Sequence, residues 1–238
     1  MIAILIECDN TKSLGGSCER DLYNIYNMLM TKLKVLPKDI YILTNNMPYF
    51  TKKNIVTNLS SNMIGCFENI LKKIGKESLY IHISGHGYQG NDVKKIELDG
   101  RCEQIVLSSG VFCDYMFNDM LKKYLMPQTI LRISVDTCHS GSFSNFCFGI
   151  GKDGKKTLAS KLNKPYFLNA SSISACMDSQ VDSCDIGNVG GFGGGLTCHI
   201  LDNNNLIEFI TGDAIKVRNN LLPILKLLKQ EPVLLVDN

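Results

Sequence analysis

Ile130-Leu131-Arg132-Ile133-Ser134-Val135-Asp136-Thr137-Cys138-His139-Ser140-Gly141 is the stretch whose reading decides the fold. Its first part, Ile130–Asp136, is a nearly continuous apolar, β-rich run, the kind buried on both faces of a parallel sheet. It then stops in small and polar residues, as strands do where they deliver a functional turn at their carboxyl ends. Leu79–Ser84 repeats the pattern and runs into Gly85-His86-Gly87. Working outward, Ile2–Ile6, Ile40–Leu43 and Tyr166–Ala170 read as further strands, and Val233–Val236 as a last one. Cys18–Lys34 lies between the first two, with Leu22, Ile25, Tyr26, Leu29 and Leu33 at helical spacing. Further helices fit Lys53–Ile74, ended by Gly75, and Asp114–Tyr124, ended before Pro127. Two more fit Leu196–Leu201 and Gly212–Lys229. Strand alternating with helix predicts an α/β fold, a mostly parallel central sheet with helices on both faces.

Composition narrows the function classes without naming one. The chain has 238 residues, 45% hydrophobic and 20% charged, which suits one substantial globular domain and excludes global disorder. A net charge of +2 gives no basic excess for a polyanion, so no nucleic-acid partner is expected. No apolar run nears the ~20 residues of a membrane span. The opening Met1–Ile6 lacks a signal peptide's basic start, so the expectation is a cytoplasmic chain with no membrane partner. Ten cysteines would suit a disulfide scaffold only in a short secreted chain, and no C-x-x-C pair frames a zinc site. Most therefore read as free thiols. Residues 149–164, with five lysines, read as a loop, and Ser171–Gly195 as a long functional loop.

If the strands ending before Gly85 and Thr137 are neighbours, His86 and Cys138 meet at one edge of the sheet. A thiol beside an imidazole is the minimum for nucleophilic catalysis on a carbonyl. Gly87 leaves its N–H unobstructed, and with the amide of Cys138 it can form an oxyanion hole. Strand ends alone equally admit a buried structural thiol and a packed histidine.

The strings themselves go further. His82-Ile83-Ser84-Gly85-His86-Gly87 and Asp136-Thr137-Cys138-His139-Ser140-Gly141 resemble the paired signatures of the metacaspases, caspase-like cysteine peptidases, and the histidine precedes the cysteine by 52 positions. Leu14-Gly15-Gly16-Ser17-Cys18-Glu19-Arg20-Asp21, the Asp99-Gly100 stretch, and Ile173-Ser174-Ala175-Cys176-Met177-Asp178-Ser179-Gln180 resemble further family segments. So do Gly195-Leu196-Thr197, with Leu196 for the usual aromatic, and Gln230-Glu231-Pro232.

The resemblance implies a single caspase-like peptidase domain over 1–238, with a large-subunit-like part (1–150), a linker (151–164) and a small-subunit-like part (165–238). It implies Cys138 as nucleophile, His86 as base and acid, and a monomer that cleaves protein or peptide substrates after Arg or Lys. Cys18, Asp21, Ser84 and Asp136 would line the substrate pocket, where paired carboxylates suit a cationic side chain. The chemistry needs no cofactor. Calcium is implied as an activator: Asp99 and Asp114 stand where two ligands are expected, but Cys113 and Asn145 replace further carboxylates, so the ligand set looks depleted. Lys152, Lys155, Lys156 and Lys161 read as an ordinary solvated loop, and in a peptidase cutting after basic residues also as self-cleavage sites. A silent, peptide-binding module with the same cleft is the alternative of a different class.

Overall fold

The computed structural model describes residues 1–9, 14, 16–44, 62–75, 78–107, 109–151, 153–162, 164–180, 194–227 and 229–237. Its core is an eight-stranded sheet. The five strands that matter most for the site are β1 (Ile2–Cys8), β2 (Ile40–Leu43), β3 (Leu79–Gly85), β7 (Ile130–Thr137) and β10 (Asn169–Ser174). They run parallel in the order β2-β1-β3-β7-β10. The sheet continues antiparallel through β11 (Val233–Val236), β8 (Phe148–Ile150) and β9 (Lys156–Leu158). A separate three-stranded antiparallel sheet contains β4 (Gly87–Asn91), β5 (Arg101–Leu107) and β6 (Gly110–Cys113).

The apolar runs form these strands because both of their faces are covered. Successive side chains alternate, so Ile2, Ile4 and Ile6 of β1 enter one apolar layer while Ala3 and Leu5 enter the other. The first layer holds Phe67 of α2 (Met63–Leu71) and Phe117 of α3 (Asp114–Tyr124), whose rings stack at 5.5 Å. The second holds Leu22, Ile25 and Leu29 of α1 (Ser17–Thr31), with α4 (Gly195–Ile200), α5 (Asn205–Thr211) and α6 (Ala214–Leu227). Each fully buried aliphatic or aromatic side chain contributes about 1.5–3 kcal/mol, so the two layers are the main source of stability. They are also what hold the strand ends rigid.

Several expectations are corrected. The strand read at Tyr166–Ala170 begins instead at Asn169, because the Asp237 carboxylate takes the amides of Tyr166 and Phe167 at 2.7 Å each and keeps them out of the ladder. The loop read at Ser171–Gly195 accordingly starts in strand, and its residues 181–193 lie outside the described residues. Residues 149–164 are not simply a loop: β8 and β9 pair as a hairpin on the sheet edge. The helix read at Lys53–Ile74 is described only from Met63, where Asn62 caps it by accepting the Gly65 N–H. The helix read at Gly212–Lys229 starts at Ala214, preceded by the separate α5, because Gly212 at φ 136 breaks the chain direction between them.

Candidate active site

The register of β3 and β7 builds the site. Ser84 pairs with Asp136 and Gly85 with Thr137, so the residues that follow, His86 and Cys138, emerge side by side where the two parallel strands end. Gly87 lies so close to the turn carrying Cys138 that a Cβ there would stand 1.9 Å from the Cys138 carbonyl oxygen. Only glycine fits that approach. His86, Cys138, Cys18, Asp21, Ser84 and Asp136 all line one cavity of about 280 Å³. The residues that the sequence assigns to catalysis and substrate binding are thus brought together, with Gly87 directly behind the cysteine. A larger cavity, about 620 Å³, opens among Met1, Leu79, Ile130, Arg132 and Asn169 at the opposite ends of the strands and contains none of them.

Asp21 and Asp136 are both buried in the wall of the smaller cavity. The Ser84 hydroxyl donates to Asp21 at 2.7 Å, and the Gly194 N–H donates to the same carboxylate at 3.0 Å. Asp136 accepts the Leu196 and Thr197 amides at 3.3 and 2.6 Å and the Thr197 hydroxyl at 2.5 Å. Burial, and then the charge of Asp136, push the Asp21 carboxyl well above the usual carboxylate range. Two buried carboxylates share one small space. Cys18 is a buried thiol in the cavity wall, its pKa held up by desolvation.

Asp9 is among the residues at the site that the sequence did not reveal. Asp9 follows the end of β1, 3% exposed, with its Oδ1 3.6 Å from Nε2 of His86. Its other oxygen accepts the Leu14 N–H at 3.0 Å, and the His86 N–H donates to the Cys8 carbonyl at 3.1 Å. An acid just past a parallel strand was the available signal, but its partner lies on another strand. His139, beside Cys138, is structural: at φ 52, its Nδ1–H donates to the Asp178 carbonyl at 2.6 Å and its amide to the Gln180 carbonyl at 3.0 Å.

The acidic group near the site differs from the one read in the sequence. Carboxylate oxygens of Glu97, Glu103 and Asp114, all buried, lie within 4.8 Å of one another. Asp114 was expected there, while Glu97 and Glu103 were not. Asp99 is not in the group, and its Oδ1 accepts the Arg101 N–H at 2.9 Å. Burial raises Glu97 to about 8, Glu103 to about 9 and Asp114 to about 6, each carboxyl also crowded or held by its neighbours. Glu97 Oε1 is buried without a hydrogen-bond partner. Hard oxygens in this density fit a divalent cation such as calcium. Ser142, four residues past Cys138, donates its hydroxyl to Glu103 and its amide to Asp178 at 2.8 Å, tying the loop after Cys138 to this group. Asp178 therefore faces the acidic group and is not part of the substrate cavity. Among the described residues every cysteine is a free thiol, and Cys184 lies outside them. No described helix is long and apolar enough to cross a membrane.

Comparison with known proteins agrees with this geometry. The family model described as metacaspase, peptidase C14 domain, matches residues 2–146. Metacaspase-1 of Yarrowia lipolytica is 32% identical over 150 residues, 59% of this chain and 31% of that protein. Metacaspase-1 of Candida glabrata is 31% identical over 137 residues, 56% of this chain and 34% of that protein. Metacaspase-2 of Arabidopsis thaliana is 30% identical over 149 residues, 59% and 34% of the two chains. The matched part thus spans about a third of the length of these relatives. A crystal structure of a Geobacter sulfurreducens protein superposes with a TM-score of 0.55 over 93% of this chain and 88% of that one, at 19% identity, which speaks to the fold alone.

Proposed function

The chain belongs to the metacaspase family of peptidase C14 domains, and from that premise we propose that it is a cysteine endopeptidase cleaving after Arg or Lys. The observation that supports this best is the single cavity lined by His86, Cys138, Asp21 and Asp136 together. In this reading the Cys138 sulfur attacks the scissile carbonyl, while the amides of Gly87 and Cys138 stabilise the oxyanion. The tetrahedral intermediate collapses to a thioester as His86 gives its proton to the leaving amine. Water, deprotonated by His86, then attacks the thioester, and the sulfur leaves to close the cycle. Asp9 acts through His86 as a positioning residue: its carboxylate, 3.6 Å from Nε2, orients the ring.

Specificity follows from the cavity floor. A guanidinium or ammonium entering between Asp21 and Asp136 replaces carboxylate repulsion by attraction, and a guanidinium does so in bidentate geometry. An Asp side chain would add a third negative group to a buried space, so aspartate is rejected. Ser84 and Cys18 shape the walls. The protein acts as a monomer on protein or peptide substrates. Glu97, Glu103 and Asp114 would hold calcium, whose charge would keep the three carboxylates in their ionised form. Ser142 and Asp178 connect that centre to the loop carrying Cys138.

The test is a set of fluorogenic peptides differing only at P1: Arg, Lys, citrulline and Asp, each with calcium and with chelator. Turnover of Arg and Lys, with citrulline and Asp at least a hundredfold slower, is the expected result. Equal turnover of citrulline and Arg would remove the charge argument. No turnover of any peptide in either condition would favour a binding module with this cleft.

A further inference from the structure

The sheet face that packs on α1 and α4 carries, among its apolar residues and the buried Glu7 of β1 and Ser171 of β10, a polar ladder on β3 and β7. On β3 the residues of this face are Tyr80, His82 and Ser84; on β7 they are Arg132, Ser134 and Asp136, paired across the two strands. All six are buried, His82 completely. A continuous chain of hydrogen bonds runs through four of them, Tyr80, Ser134, His82 and Asp136, by way of Thr197 on α4. Tyr80 Oη lies 2.7 Å from Ser134 Oγ, and Ser134 Oγ lies 2.8 Å from His82 Nδ1. His82 Nε2 lies 3.4 Å from Thr197 Oγ1, which lies 2.5 Å from Asp136 Oδ2. The far end of this chain is the wall of the cavity described above.

The direction of every link follows from its ends. A carboxylate only accepts, so the Thr197 hydroxyl spends its one proton on Asp136. Thr197 must then accept from His82, which places the imidazole proton on Nε2. His82 Nδ1, left bare, accepts from the Ser134 hydroxyl, and Ser134 in turn accepts from the Tyr80 hydroxyl. Burial pushes the imidazole down to about 4, against the opposing pull of Asp136, so near neutral pH the ring carries one proton and not two. With one ring proton and one proton on each hydroxyl, no other arrangement satisfies all four links.

We propose that this relay is a specificity device: His82, as its Nε2–H tautomer, locks the Thr197 hydroxyl toward Asp136 and so holds that carboxylate in the orientation that receives a cationic P1 side chain. The inference deepens the Arg or Lys reading above and rests on it. His82, Ser134 and Thr197 are positioning residues, since none of them lines the cavity. Thr197 matters in two ways that separate cleanly. Its backbone N–H reaches Asp136 at 2.6 Å whatever its side chain, while only the hydroxyl links the carboxylate to His82. Released from that hydroxyl, Asp136 keeps its two amide donors and loses its third restraint.

The experiment uses the full chain and three variants: Thr197→Val, which removes the hydroxyl at nearly constant shape; Thr197→Ser, which keeps it; and Ser134→Ala, which frees His82 to change tautomer. Thermal melting first establishes that each folds. Calorimetry with agmatine, a free guanidinium, then reads the cavity without catalysis. Wild type binds agmatine; Thr197→Val and Ser134→Ala weaken it about tenfold, the scale of one hydrogen bond to a charged group; Thr197→Ser stays within about threefold. With an Arg peptide the same variants raise KM by a similar factor while kcat stays within about threefold. Nitrogen-15 NMR of the wild type shows the His82 proton on Nε2. If wild type binds agmatine and Thr197→Val binds it equally, or if the proton sits on Nδ1, the relay is overturned while the cationic pocket stands. If wild type itself binds no agmatine, the pocket reading fails, and the relay's role in specificity fails with it.

Discussion

Replacing Gly87 by Ala tests the site where its geometry is tightest. An added Cβ would stand 1.9 Å from the Cys138 carbonyl oxygen, 2.8 Å from Thr137 Oγ1 and 2.9 Å from the Cys138 carbonyl carbon. Ordinary contact begins at 3.4 Å, so the backbone of the nucleophile turn must retreat by roughly 1.5 Å. The thiol cannot slide sideways to compensate: His139 beside it is pinned to the Asp178 and Gln180 carbonyls. A misplacement of about 1 Å in a reacting group costs on the order of a hundredfold in rate, or about 2.7 kcal/mol in barrier. Overpacking at such a contact costs a further 1–3 kcal/mol or so of stability, a drop of a few degrees in Tm for a chain of this size. The assay is single-turnover acylation by an Arg peptide, with a thermal melt beside it. Acylation should fall at least a hundredfold while the variant still melts cooperatively. Gly87→Ala acylating within threefold of wild type would refute the packing of Gly87 against the nucleophile turn.

Three further outcomes follow from the same geometry. Asp9→Asn should lower kcat about tenfold or more with KM unchanged, because it disturbs the base and not the pocket; an unchanged kcat would remove Asp9 from the site. Asp21 keeps its proton above the usual range, and a cationic side chain favours its loss, so KM for an Arg peptide should fall as pH rises. Asp21→Asn should give a higher KM with that slope removed, and an identical slope in the variant would assign the dependence elsewhere. Glu97 and Glu103, raised to about 8 and 9 from 4.5, hold protons in the folded chain that the unfolded chain has lost. Stability in chelator should therefore fall as pH climbs from 4.5 toward 9, and calcium should cancel the fall; a flat, calcium-insensitive Tm over that window would contradict the metal reading.

What could be read in the sequence was whatever depends on local runs. Strands buried on both faces announce themselves as continuous apolar segments, so β2 and β11 stand where they were read, residue for residue, as does the helix α3, read as ending before Pro127. Cys138 and His86 were legible because each follows such a run directly. Tyr88, Gln89 and Gly90 of β4 are partly or well exposed and show no apolar alternation, so the small antiparallel sheet left no trace. The start of β10 was misread because Asp237, some 70 positions away, takes the amides of Tyr166 and Phe167. Asp9, Glu97 and Glu103 escaped for the same physical reason. Each acts on a partner brought near by the sheet, and a carboxylate alone in sequence looks like any solvated one.

The central claim is that Cys138 is the nucleophile in a pocket that selects a positive charge. Incubation with an arginyl chloromethyl ketone, followed by peptide mass spectrometry, measures both halves at once. A single adduct on Cys138, absent in Cys138→Ala and slowed by agmatine, is the predicted result. Labelling of other cysteines at the same rate, or full peptidase activity in Cys138→Ala, would contradict it.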